Sequence, residues 1–449
     1  MSLASSSAVS LLYVPEVTFG VTPVSGNTRA LRMTGETLDY QITKTESKEI
    51  NPTRTISSVT PTAATASGGI TGEISYQEWD ILMAATLQST FTVFGTAGVG
   101  AVFTTTAGGI TTSSITASVA TSGSSSWANL KKGQWFKLNA PGDANNDGKI
   151  LRTSASVACT TTVLTVDVST PLVANAGTVA GATIATSRLT HGTTQTSFSI
   201  ERGLPDATTP QFFNYTGMTP SKMSIEESSG ALSGISFDFM GKQAIRAATT
   251  SQLPASPTAS YAYDIHSGVA GSTVVIWEGG APLTGTFVKS VKFDFDNTLR
   301  AQSGIGTLGS VGIGSGTIKI SGEMEIYLAD GALYDKFVNN TASSIIFSSV
   351  DNSGNGYIFT LPKVIFSQLK TNASGKDQDM MLTMNFMGLR DSGNADATLQ
   401  KAIFIDRVGE GGEEDDRNIG LLAQAPQRLH PVHPRHLDIE DGEVRRRCL

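Results

Sequence analysis

A mainly β protein is expected from three observations on this 449-residue chain. Thr and other β-branched residues recur in short runs bounded by Gly and Pro, the composition and punctuation of strands and turns. Charged residues make up only 16%, while an apolar content of 39% is ordinary for a packed core in a chain of this length. Residues 316–341 then display the building unit. Ile318, Ile320, Met324, Ile326 and Leu328 share one parity, interrupted only by Gly322, and Lys319, Ser321, Glu323, Glu325 and Tyr327 share the other. Successive strand side chains point to opposite faces, so one face seeks a core and the other water. Asp330 is placed to cap a following helix, on which Leu333 and Phe337, and Tyr334 and Val338, repeat at i and i+4. The predicted architecture is a β-sandwich or barrel with short flanking helices and an inserted small β domain.

The unit has an echo. Residues 70–86 place Ile70, Gly72, Ile74 and Tyr76 on one strand face and Glu73 on the other, with Trp79, Leu82, Met83 and Thr86 on the next helix, so that ITGE and ISGE open the same pattern twice. Residues 232–240 form a third variant without a helix. The spacing is too irregular for a solenoid. Strand, loop, strand and helix nevertheless recur, once as 31–42 with 70–76 and once as 288–296 with 318–328.

In chain order, residues 1–30 read as an extended N-terminal arm punctuated by Pro15 and Pro23. The stretch 43–69 is long and polar. It is read as a protruding hairpin that makes contacts outside its own domain, with Lys44, Glu46, Lys48, Glu49 and Arg54 as the contact residues. Across 91–189 charges nearly vanish, and six basic residues outnumber three acidic ones, opposite in sign to the whole chain. Short runs at 135–138, 149–153 and 163–168 mark this segment as the inserted β domain. The main domain therefore comprises 31–90 and 190–408. Its later strands are expected at 198–202, 222–227, 232–240, 273–277, 288–296, 318–328, 344–347, 357–360, 364–370, 380–387 and 402–407. Residues 409–449 open on a charge run, GEGGEEDD, and continue without periodicity, which predicts a disordered tail.

A net charge of −7 argues against a protein that grips nucleic acid through its phosphates, which requires clustered Lys and Arg, but not against one that lets nucleic acid pass. Cys159 and Cys448 make neither a disulfide framework nor a metal motif. The N-terminus has no basic region ahead of an apolar one, so a signal peptide is not expected, and no apolar run approaches a membrane span. These features point to folding in a cytoplasm. Gly304, Gly306 and Gly309 match G-x-G-x-x-G, but a strand rather than a helix follows, so no dinucleotide cofactor is assigned. Asp143, Asn145, Asp147 and Gly148 resemble half of a calcium loop, with Ser154 where a bidentate Glu belongs; a tight turn accounts for them. His430, His433 and His436 would stand about 9 Å apart in a polyproline helix, too far to share one ion. No cofactor or metal is expected.

No nucleophile elbow, phosphate loop or Cys and His pair is present, so the chain is not read as an enzyme. Its strand carboxylates Glu73, Asp238, Asp294, Asp296, Glu323 and Glu325 are scattered along the polar parity rather than converging as an acid and base. Tyr13 to Pro23 (YVPEVTFGVTP), the SGEMEIYL strand, the D-x-x-G-N-x-Y stretch at 351–357, and LPKV at 361–364 with GKDQD at 375–379 resemble the major tail tube proteins of long-tailed, siphovirus-like bacteriophages, over roughly residues 10–408. The segment 143–164 is similar to the extra domain that some members carry outside the tube. The resemblance implies a β-sandwich flanked by a helix, six copies forming a ring, and rings stacking into a hollow virion tube through which DNA is ejected into the host. Implied partners are further copies of the chain, a tape measure protein, tail terminator and distal tail proteins, and double-stranded DNA in passage, with no membrane. On that reading the six carboxylates are candidates to face the lumen. The rival reading is a modular β adhesin or carbohydrate-binding surface protein, for which exposed aromatic platforms are wanted.

Overall fold

A computed structural model describes residues 4–96, 100–268, 276–372, 375–377 and 379–409. The first elements are strands β1 (Ser10–Pro15), β2 (Arg29–Ala30), β3 (Gly35–Glu36), β4 (Asp39–Glu46) and β5 (Val59–Glu73), then helix α1 (Asp80–Thr86). Eight short strands follow: β6 (Thr92–Val93), β7 (Ala101–Phe103), β8 (Thr105–Ile110), β9 (Ser114–Ala117), β10 (Trp135–Asn139), β11 (Ile150–Arg152), β12 (Val163–Thr165) and β13 (Ala182–Thr190). Next come β14 (Phe198–Leu204), β15 (Gln211–Ser228), β16 (Gly234–Gly241) and β17 (Gln243–Ala248). The remainder is β18 (Ile276–Glu278), β19 (Ala281–Pro282), β20 (Val288–Asp296), β21 (Arg300–Gln302), β22 (Gly312–Gly314), β23 (Lys319–Tyr327), α2 (Ala332–Val338), β24 (Ser343–Val350), β25 (Gly356–Asn372), β26 (Met381–Gly388) and β27 (Phe404–Val408). The chain is therefore β-rich with two short α-helices among the described residues. The tail at 410–449, with its three histidines, and the 273–275 part of one expected strand lie outside them.

Two long strands organise the sheets. Residues 211–216 of β15 lie between β14 and β17, and residues 222–226 lie between β16 and β20. Likewise residues 356–360 of β25 lie between β24 and β27, while residues 365–372 pair with β26 alone among the described residues. The same local irregularities recur in both. The β15–β16 register slips between Pro220 and Lys222, and the β25–β26 register between Phe366 and Gln368. The β14 ladder slips between Phe198 and Ile200, and the β24 ladder between Ser343 and Ile345. The order β1–β2, β3–β4, β5, α1, β14, β15, β16, β17 is thus repeated as β18–β19, β20, β23, α2, β24, β25, β26, β27. The chain is a duplication.

The bulges fix which residues correspond. Phe239 and Phe386 face the residues preceding the two slips, Pro220 and Phe366, and opposite them on their other neighbours stand Gly68 and Gly322. ITGE and ISGE are therefore displaced by four residues from true equivalence, and because four is even the facing of every side chain survives the displacement. Gly72 and Gly322 serve a similar purpose with different partners. A Cβ would sit 2.1 Å from the Trp79 ring in the first case and 2.2 Å from the Phe386 ring in the second.

The two units share one core, running from Leu11 to Ile405 and including Trp79, Phe237, Phe293, Phe347, Phe359 and Phe386, all fully buried. Phe293 packs 5.4 Å from both Phe347 and Phe359. Residues between Phe94 and Ile184 build a second core around Trp127, Phe136 and Leu138. A smaller cluster of Trp135, Trp277, Ile346, Val350, Ile358 and Val408 connects the two. There the Arg188 guanidinium forks onto Asp406 at 2.6 and 2.7 Å, tying β13 to β27 in a buried pair. Asp80 on α1 accepts from both Tyr357 and Arg407.

The helix stripe predicted on α2 is only half realised. Leu333 is buried and Phe337 packs on the core, but Tyr334 and Val338 are 48% and 60% exposed. Asp330 does satisfy a free backbone amide, accepting from Ala332 N at 2.9 Å.

Candidate functional site

Antiparallel pairing aligns the polar parity of one strand with that of the next, and here it gathers the six predicted carboxylates on one sheet face. Asp238, Lys222, Asp296 and Lys319 stand opposite one another across β16, β15, β20 and β23. A neighbouring row runs Glu73, Gly234, Glu226, Lys292, Glu323 and Asn385 from β5 to β26. Between these rows Asp294 stands opposite Ser224 and Ser321, and Glu325 lies beyond the second row, opposite Ser290 and Thr383. All six are exposed or half-buried.

The face is not uniformly acidic. Lys222 Nζ lies 3.3 Å from Asp294 and Lys289 Nζ 3.1 Å from Glu325, and Lys292 stands between Glu226 and Glu323. Sequence reasoning missed Glu226, although its parity with Lys222 would have found it. It placed Lys319 on the polar parity but missed Lys222, Lys289 and Lys292 as neighbours of the carboxylates, because which residue stands opposite which is set by inter-strand register rather than by either strand alone. The arrangement is a hydrated, mixed-charge surface on which Lys222 and Lys289 are paired with carboxylates, Lys292 and Lys319 are exposed without an ion pair among the described residues, and carboxylates outnumber lysines, chemistry suited to contact without retention.

The stretch 43–69 is a hairpin of β4 and β5 joined through residues 47–58. Lys44, Glu46, Lys48, Glu49 and Arg54 are all exposed on it, as are Ile42, Ile50, Ile56 and Val59 at 45%, 98%, 58% and 52%. The second unit carries a smaller ribbon at the corresponding place, β21–β22, with Ile305 fully exposed at its tip. Ala64 N donates to Leu308 O at 2.8 Å, so the loop joining β21 and β22 touches the β5 strand of the longer hairpin.

One buried cluster brings together groups found in hydrolases. Ser233 Oγ donates to Glu227 at 2.6 Å and lies 3.4 Å from Ser349 Oγ, which is 3.0 Å from His266 Nδ1. Burial pushes the Glu227 carboxyl up and His266 down to about 4, favouring the neutral form of each. Ser233, Ser349 and His266 are at most 1% exposed, so this is an internal joint rather than a site a substrate reaches. In the 143–148 turn, Asp147 accepts from Ala140 N and Asp143 from Asn146 Nδ2, each at 2.7 Å, which spends the carboxylates on the turn itself. All four tryptophans, 79, 127, 135 and 277, are buried, leaving no Trp platform for a glycan.

No curated protein matches the chain. A family model described as phage tail tube protein matches residues 6–388. That span runs from β1 to β26 and includes the segment between the two units, with β27 beyond it. The chain belongs to the phage tail tube protein family and is a structural component of a phage tail.

Proposed function

We propose that the chain builds the wall of the hollow tail tube of a long-tailed, siphovirus-like phage. Wall units close into rings of six, rings stack, and the bore conducts double-stranded DNA during ejection. The observation that carries this reading is the single sheet face on which Glu73, Asp238, Asp294, Asp296, Glu323 and Glu325 are interleaved with fewer lysines, of which Lys222 and Lys289 are ion-paired. It is assigned to the bore. DNA binding grows with every free cation that replaces a counterion, so a passage is served by carboxylates that outnumber its lysines. Residues 31–90 and 190–408 are assigned to the wall, and 91–189, with their separate core, to a module outside it. The 43–69 hairpin is assigned to the next ring, supported by its length and by its exposed apolar residues Ile42, Ile50, Ile56 and Val59. A tube of defined length needs a tape measure protein in its bore and terminator and distal tail proteins at its ends; assembly is assigned to the host cytoplasm.

Electron micrographs of concentrated protein, with and without residues 47–58, test the reading. Wild-type protein is expected to form hollow filaments and the shortened hairpin only short stacks or single rings. Dispersed wild-type monomers would overturn the tube assignment, and full-length filaments from the shortened chain would overturn that of the hairpin.

A further inference from the structure

The duplication leaves two sheet edges that correspond to the two sides of a junction already present inside the chain. Beyond its bulge, β15 is joined on its outer edge by β20, with Lys222 opposite Asp296, Met223 opposite Phe295 and Ile225 opposite Phe293. The counterpart of this stretch in the second unit begins at Gln368, the residue after the matching bulge, and has no outer neighbour among the described residues. The counterpart of β20 in the first unit follows from its pairing. Phe293 and Phe295 stand opposite Gly322 and Ile320 of β23. The equivalents of these glycine and isoleucine positions are Gly68 and Ala66 of β5, and Ala66 stands opposite Tyr40. Residues 35–41 are therefore the first unit's version of 290–296. They pair with β5, and no strand lies on their other edge among the described residues; side chains satisfy part of it, Leu38 O accepting from Arg202 and Tyr215 and the Leu38 and Tyr40 amides donating to Glu36 and Asp39, contacts that an incoming strand would replace.

Burial shows where each edge lacks cover: Leu38, the counterpart of Phe293, is already buried, but the positions beyond it are not. Met223, Ile225 and Phe295 are fully buried at the internal junction, whereas their counterparts Leu369 and Tyr40 are half-buried and Thr371 is exposed. Open strand edges invite pairing, and closed assemblies remove them. The helices repeat the contrast. Thr86, the last residue of α1, accepts from Asn297 Nδ2 at 2.6 Å, so the chain leaving β20 covers that helix end. The equivalent residues are Val338, at the end of α2, and Ile42, at the start of the hairpin's projecting part, and these are 60% and 45% exposed.

We propose that copies of this chain join head to tail by strand addition, residues 368–372 of one copy lying antiparallel to residues 37–41 of the next, so that a ring of six wall units closes with three chains. The expected register is Gln368 opposite Gln41, Leu369 opposite Tyr40 and Thr371 opposite Leu38 of the next copy. Ile42 of that copy then covers Val338, an apolar contact where the internal junction has the Asn297 to Thr86 hydrogen bond. The proposal rests on the tube reading and specifies who contributes each unit.

Paired cysteines read the seam directly. Gln41 and Gln368 are exposed, so Q41C with Q368C leaves the core untouched. Oxidised tubes of the double variant are expected to give a ladder on a non-reducing gel that ends at three chains, and either single variant, which controls for Cys159 and Cys448, no ladder. The mass of one wild-type ring supplies a second measurement that needs no substitution, with three chains of 47.0 kDa expected. Tubes with six chains per ring, or tubes in which the two cysteines stay unlinked, overturn the seam and leave the tube reading standing. Wild-type protein that never forms tubes overturns both.

Discussion

β15 and β25 have matching bulges and matching inner neighbours, yet beyond the bulge Met223 is fully buried while Leu369 is only partly covered. The difference is not in the strands themselves. β20 lies against the first and no described strand lies against the second. Side chains of similar size at equivalent positions therefore contribute differently to the folded chain, because burial depends on the neighbour and not on the strand. One half of the molecule shows what the other half is built to receive.

The largest effect that probes this comparison comes from truncating both positions. Met223→Ala removes a fully buried side chain and is expected to cost about 2–5 kcal/mol in denaturant unfolding of the unpolymerised chain. Leu369→Ala is expected to cost about 1 kcal/mol there, because much of its surface is already wet. In tubes the second value is expected to rise towards the first, read as lower resistance to dissociation. Equal costs in the unpolymerised chain would show that the edge is already covered.

A smaller effect sharpens the comparison from the other side. The joint within the chain contains the His266, Ser349, Ser233 and Glu227 cluster, whose members come from both units. His266 is held at about 4, below its ordinary value near 6.5, so the unfolded chain takes up a proton first as pH falls. Its contribution is complete above about pH 6.5 and is lost on descending towards pH 4, by up to about 3 kcal/mol. Glu227, raised by burial, works in the opposite sense, since its protonation on acidification relieves its own penalty. Comparing His266→Asn with wild type across pH 4–7 isolates the histidine. The variant is expected to lose less stability on acidification, and parallel pH profiles would remove His266 from this role.

The smallest effect on assembly, and a larger one on function, is expected from Glu323→Lys with Glu325→Lys. Exposed substitutions of this kind shift stability by about 0.5 kcal/mol or less, so tubes should form. Genome delivery by virions carrying them should slow, because free lysines now face the DNA. Delivery at the wild-type rate would move the bore to another face.

Much of this layout was legible in the residues. The residues predict β20 and β23 almost to their ends, because their alternation is broken only by Gly322 and contains no proline. The common face of the six carboxylates followed from parity, which even the four-residue displacement of the ITGE echo preserves. What escaped was non-local. β15 was read only over 222–227 and β25 as two strands, since Pro220 and Pro362 signal interruption. Both are tolerated in strands that change neighbours near those prolines, where not every amide is committed to a ladder. β1 and β17 were not read as strands because short, weakly alternating segments acquire their pairing from β14 and β15. The exposure of Tyr334 and Val338 on α2 is not legible in the sequence, because periodicity reports an apolar stripe without saying which molecule covers it.

Between α1 and β14 the chain accommodates an entire second hydrophobic core, whereas α2 and β24 are separated only by residues 339–342. A ring assembled from such chains repeats differently inside and outside. Its lining would recur with every unit, but its appendages only with every chain, so the exterior would show half the rotational order of the passage it encloses. Bare wall would alternate with ornament around the circumference. Each appendage would then have twice the angular room that one per unit would leave, and it could grow or be replaced in evolution without crowding its neighbour or altering the bore.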